Sequence, residues 1–171
     1  TYAFARTGHH GIYSAITHAI TKTKHHIYLE DQYLVDDLPM GQLEAIVRPL
    51  VRKIREPGFQ KLIVLCTRID DINEEFLFTG WSHRKNVITQ LIAAAPDKVA
   101  ICQYRSHAEL GSEGGPAHAG AHYVHSKTWI FDDELLITGS ANSNRRGYSH
   151  DSELDIGVVD TSGRLVRDFR R

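Results

Sequence analysis

Cysteine is scarce in this 171-residue chain, with Cys66 and Cys102 as the only two. A disulfide framework needs more, and neither stands near a histidine at zinc-ligand spacing, so both read as buried free thiols in apolar strands. A basic excess is also missing, because the formal net charge is −1. That removes the usual electrostatic case for bulk nucleic-acid binding but leaves room for a locally basic site. No run of about 18 apolar residues occurs, so no transmembrane helix is expected. There is no internal repeat. The chain opens at Thr1 with neither an initiator Met nor a signal-peptide pattern, and its last residues read as the opening turns of a helix. The expectation is one globular domain spanning 1–171, cut from a longer protein.

What is present alternates between helical and strand patterns. Apolar residues at Ile12, Ala15, Ile16, Ala19 and Ile20 form a helical stripe over 12–23. Strands are expected at 27–29, 61–66, 99–103 and 154–159, and further helices at 41–56 and 83–95. Pro49 should kink or split the first of those helices. Residues 106–121, rich in Gly, Ala and His, make a loop too long for a mere connection. Tyr123–Phe131 and Leu135–Thr138 should form a hairpin about Asp132 and Asp133. This alternation implies an α/β sheet with helices on both faces.

The chemistry concentrates in "YVHSKTWIFDDELLITGSANSNRRG", residues 123–147. His125 and Lys127 are two apart, so on a regular strand both side chains leave one face. Asp132 has the opposite parity and is better cast as a structural acceptor. Gly139 allows close backbone approach, while Ser140 and Asn142 offer neutral donors. A cation, an imidazole and neutral donors around a gap describe a phosphate site. Each piece alone is ordinary, but six residue types at fixed spacing arise by chance on the order of 10⁻⁸ per start position.

His125-x-Lys127-x4-Asp132-x6-Gly139-Ser140-x-Asn142 resembles the HKD signature of the phospholipase D superfamily. "HHIYLEDQYLV" at 25–35 resembles the strand that opens the second lobe of two-motif members, and "YSHDSELD" at 148–155 resembles the downstream acidic segment. The resemblance implies a mixed β-sheet sandwiched between helices, a phospholipase D/nuclease-like lobe. It also implies a phosphodiesterase whose two histidines face each other across a lobe interface. One attacks phosphorus to give a phosphohistidine, and the other protonates the leaving alcohol and then activates water or an acceptor alcohol. Lys127, Ser140 and Asn142 would hold the phosphate oxygens. Glu153 matches the acidic residue that hydrogen-bonds the catalytic histidine, with Asp155 a weaker candidate for that part. Gln32 and Tyr33 would stand at the rim. No metal or other cofactor is required.

Two departures stand out. Gly147 occupies a position where relatives often carry Ser, and no second motif exists. His83-x-Lys85 has Gln90 where an Asp would be needed and reads as a helix start. A second lobe is therefore expected upstream of residue 1, with His125 as acid/base rather than nucleophile. The partners implied are a phospholipid head group at a membrane surface and that second lobe, with no stable nucleic-acid partner. The favoured activity is hydrolysis or transphosphatidylation of glycerophospholipids. The alternatives are a homodimeric nuclease cleaving DNA across a two-fold axis, and a non-catalytic lobe that completes or regulates a partner half. The chain alone should be inactive. The compartment stays open, with a cytoplasmic or peripheral-membrane setting favoured. The eleven histidines suggest solvent-facing and rim positions rather than a zinc site, and Trp81 an ordinary helix-packing aromatic.

Overall fold

A computed structural model describes residues 9–35, 43–67, 74–107, 119–121 and 123–170; for 74–81, 105–107 and 119–121 it describes the backbone only. The elements are α1 (Gly11–Lys22), β1 (His26–Asp31), α2 (Val47–Ile54), β2 (Lys61–Cys66), α3 (Glu74–Ala94), β3 (Val99–Cys102), β4 (Arg105–His107), β5 (Ala119–Ala121), β6 (Lys127–Phe131), β7 (Leu135–Gly139), α4 (Arg145–Ser149), β8 (Asp155–Val159) and α5 (Leu165–Arg170). Six strands form one mixed sheet in the order β3-β2-β1-β6-β7-β8, and β4 pairs with β5 separately. β1 is the seam. It runs parallel to β2 on one side and antiparallel to β6 on the other.

Strand parity explains the layers. Ile27, Leu29, Leu62, Val64, Trp129, Phe131 and Ile137 share one face by register. They join one buried cluster with Ile16 and Ile20 of α1, Leu50 and Ile54 of α2, and Val87 and Leu91 of α3. Each buried aliphatic of this kind is worth about 1.5–3 kcal/mol. Val166 of α5 covers the opposite face, against Ile130 and Leu136. The sheet is thus flanked by helices on both sides, as the alternation required. On the first face the apolar columns end in Asp31, Cys66 and Lys127, all at the same end of the sheet. That end carries the site.

Several local expectations change. In α1, Tyr13 is buried in place of Ala15, because its hydroxyl donates to Glu44 O at 2.8 Å while its ring fills the core. Pro49 does not kink α2. The helix starts only at Val47, and in the first turn the missing N–H has no intrahelical acceptor to lose. Cys66 is buried as expected, but Cys102 is exposed at the end of the edge strand β3. The 106–121 segment includes paired strands at both ends. Among the described residues no helix is long and apolar enough to cross a membrane.

The β6–β7 hairpin turns at Asp132 and Asp133, whose φ values of 54° and 56° are those of a type I′ turn. Asp is among the residues that tolerate this region best. Asp133 accepts a bidentate pair from Arg170 at 2.9 Å each, which fastens α5 to the turn.

Candidate active site

Lys127 opens β6 opposite Asp31, the last residue of β1, and is 4% exposed. Its ammonium donates to Gln32 Oε1 at 2.8 Å and to the His125 carbonyl at 2.5 Å. An ammonium has three donors, so one N–H remains without a partner among the described residues. Burial pushes this amine below the ordinary lysine range, while Asp31 and Glu153 act in the other direction.

His125 lies just ahead of the strand, so strand parity does not set its direction. Its exposed ring stacks on Tyr123 with centroids 6.1 Å apart and planes 26° from parallel. Gln32 joins Lys127 to Tyr123. Its Oε1 takes the Lys127 bond, and its Nε2 donates to the Tyr123 hydroxyl. Gln32, expected at the rim, is 6% exposed and sits inside the site. Tyr33 is half-buried and contributes its backbone.

The returning loop is held from below by two carboxylates. Asp31 is fully buried, accepts the Tyr33 and Leu34 N–H groups at 2.8 Å, and takes the Ser143 N–H at 2.8 Å with its other oxygen. Burial raises its pKa, and these hydrogen bonds oppose the shift. Asp155 accepts the Ala141 N–H at 3.1 Å. Burial raises Asp155 too, against its backbone hydrogen bonds from Ala141 and Ser140. Gly139 is forced by proximity, since a Cβ there would lie 2.2 Å from Leu154 O and from Asp155 Oδ1.

Ser140 and Glu153 form a pair of their own. The Ser140 hydroxyl donates to Glu153 Oε2 at 2.5 Å and accepts the Leu154 N–H at 3.0 Å. Its one donor is therefore engaged, and among the described residues Glu153 bonds Ser140 rather than His125. Asn142 is half-buried, and its Oδ1 is a buried polar atom with no hydrogen-bond partner among the described residues. Such an atom marks an unfilled polar position in the site.

Asp132 lies at the far end of β6, about 16 Å from Lys127 along the strand. Its carboxylate accepts the N–H groups of Lys24 at 2.6 Å and of His25 and His26 at 2.8 Å. It fixes the hairpin to the start of β1.

Asp31 and Arg84 escaped the sequence reading. Arg84, within the stretch taken as a helix start, is 1% exposed and donates to the carbonyls of Tyr33 at 2.6 Å, Thr67 at 2.7 Å and Gln32. A buried cation inside an amphipathic helix leaves no mark in spacing. No cluster of three or more His, Cys, Asp or Glu among the described residues is arranged to hold a metal. The side chains of His107, His118, His122 and Trp81 lie outside the described residues.

A family model described as the PLD-like domain of cardiolipin synthase matches residues 16–171. Rat phospholipase D1 is 31% identical over 184 residues, covering 90% of this chain and 17% of that protein. Arabidopsis thaliana phospholipase D zeta 1 is 29% identical over 177 residues, covering 88% of this chain and 16% of its own length. The chain thus spans about a sixth of these relatives. Among solved structures, the phospholipase D family member Nuc of Salmonella typhimurium aligns with a TM-score of 0.61 at 13% identity, covering 92% of this chain and 81% of Nuc. Phosphatidylserine synthase of Haemophilus influenzae Rd KW20 aligns at 0.60 and 12% identity, covering 96% and 35% respectively. With His125 and Lys127 at one end of a mixed, helix-flanked sheet and Asp132 at the other, the chain belongs to the phospholipase D superfamily of phosphodiesterase-type proteins and forms one of its lobes.

Proposed function

We propose that the chain is the carboxy-terminal catalytic lobe of a phospholipase D-type enzyme. It acts on glycerophospholipids by hydrolysis or head-group exchange through a phosphohistidine. The observation that carries this reading is Lys127, a buried ammonium bonded to the His125 carbonyl with one N–H left over. A buried cation with an unused donor beside an exposed imidazole suits a phosphodiester anion. Lys127 and the Asn142 side-chain N–H hold the non-bridging oxygens. His125 gives its proton to the leaving alcohol and then takes one from water or an acceptor alcohol. The attacking histidine comes from a second lobe upstream of residue 1.

The hydrogen bonds support different roles for Ser140 and Glu153. Ser140 spends its donor on Glu153, so it shapes the loop instead of binding phosphate directly. Glu153 lends negative charge near Lys127 and orients His125 only if substrate binding redraws the Ser140 contact.

The test is head-group release from phosphatidylcholine vesicles by the two-lobe protein. His125→Ala and Lys127→Ala should each lower turnover about a thousandfold. Cleavage of DNA but not of lipid, lost in the same variants, would overturn the substrate assignment. One observation favours that second reading, a homodimeric nuclease. The lobe covers 81% of the Nuc chain, so a fold of this size can make up most of a chain.

A further inference from the structure

Arg84 on α3 is a guanidinium with 1% exposure that makes no ion pair among the described residues. Burying a charge without a counter-ion is costly, and an aliphatic side chain would fill the same space without that cost. Its partners suggest what it does. All three are carbonyls just past the carboxyl ends of β1 and β2: Gln32, Tyr33 and Thr67. Arginine suits this because its donors form a rigid planar fork.

Two of those residues reach onward to the site. The Gln32 side chain accepts from Lys127 Nζ at 2.8 Å and donates to the Tyr123 hydroxyl. Thr67, itself 0% exposed, donates its hydroxyl to the Val124 carbonyl at 2.6 Å. Val124 directly precedes His125. One buried group therefore has one arm ending on the Lys127 ammonium and another ending on the segment that carries His125.

We propose that Arg84 is the positioning residue of this site, setting Lys127 through Gln32 and His125 through Thr67. The inference rests on the reading of Lys127 and His125 as the phosphoryl-transfer groups. Arg84 touches no substrate. It also adds standing positive charge behind the site, where Asp31 is the one fully buried carboxylate among the described residues. Burial lowers the Arg84 pKa, but a guanidinium stays charged at any physiological pH.

The experiment uses the chain itself with Arg84→Lys, Gln32→Leu, Thr67→Val and the Arg84→Lys/Gln32→Leu double variant. Three quantities are read: the Lys127 ammonium and His125 imidazole titrations by NMR, the thermal midpoint, and affinity for inorganic tungstate as a phosphate mimic. Expected results are a moved Lys127 titration in Arg84→Lys and Gln32→Leu, a moved His125 titration in Arg84→Lys and Thr67→Val, and tungstate affinity at least tenfold weaker. The double variant should shift Lys127 no further than the stronger single variant, because both act along one arm. A lower thermal midpoint with both titrations and the tungstate affinity unchanged would make Arg84 a packing residue and overturn the proposal. If Arg84→Lys fails to fold, unchanged titrations in both Gln32→Leu and Thr67→Val overturn it equally. Moved titrations in a chain whose wild type ignores tungstate would uphold the positioning role and sink the reading of Lys127 as a phosphate holder within this lobe.

Discussion

Asp133 shows how much one side chain can tie together. The Arg170 guanidinium, helped by His26, holds its carboxyl at about 2, below the ordinary 3.8. In the unfolded chain the same carboxyl binds protons more readily, so its contribution to stability is complete above about pH 4 and is lost as the pH falls toward about 2. Urea denaturation of wild type and Asp133→Asn across pH 2–7 should show a difference that is largest at neutrality, about 1–3 kcal/mol, and shrinks through that window. A constant difference would remove the ionised form from the explanation. At this scale the sequence was legible where function lay in adjacent residues. His125 and Lys127 stood out by spacing alone, while Asp132 lies at the other end of β6 from Lys127. Asp31 and Arg84 were not legible, because their partners lie 112 residues away in Ser143 and 52 away in Gln32.

Among the elements, the contact of β7 with β8 is the most constrained. Gly139 pairs with Asp155, and its missing Cβ is the space that Leu154 O occupies. Gly139→Ala should destabilise the chain by about 1–3 kcal/mol or more, since both atoms it meets are tied to β8. Hydrogen exchange offers a sharper local reading: the Leu154 N–H, bonded to Ser140 Oγ, should lose protection before the β1–β2 amides do. Uniform loss would mean that the strain spreads through the whole fold. The strands were readable because buried apolar runs and turn residues mark them locally, as in Lys61–Cys66 and the Asp132–Asp133 turn. α4 was missed. It is five residues long and owes its place to Asn144, whose side chain accepts the Gly147 N–H at 2.8 Å, and to buried Tyr148, whose hydroxyl donates to Ser143 Oγ. Neither contact follows a periodicity.

Among the described residues, one imidazole, that of His125, stands in the expected pattern. If an upstream lobe supplies the second, the isolated chain should release no head group at any concentration, and adding that lobe should restore turnover. Activity of the isolated chain that rises with the square of its concentration would instead support a homodimer. Fold class was legible from alternation, but strand order was not. Nothing local says that β1 takes β2 on one edge and β6 on the other, because that choice depends on burying Ile27 and Leu29 against both neighbours.

The central place of β1 also orders events during synthesis. Its parallel partner arrives with Lys61, while Ile27 meets its antiparallel partner only at Phe131. For the roughly 60 residues between Cys66 and Lys127, a growing chain carries β1 with one edge open, a template for pairing with other chains. Gln32, Thr67 and Arg84 are all made before His125 and Lys127. A chain that stops short of the hairpin is thus a half-sheet with an open edge, and the same few residues that seal that edge bring in His125 and Lys127.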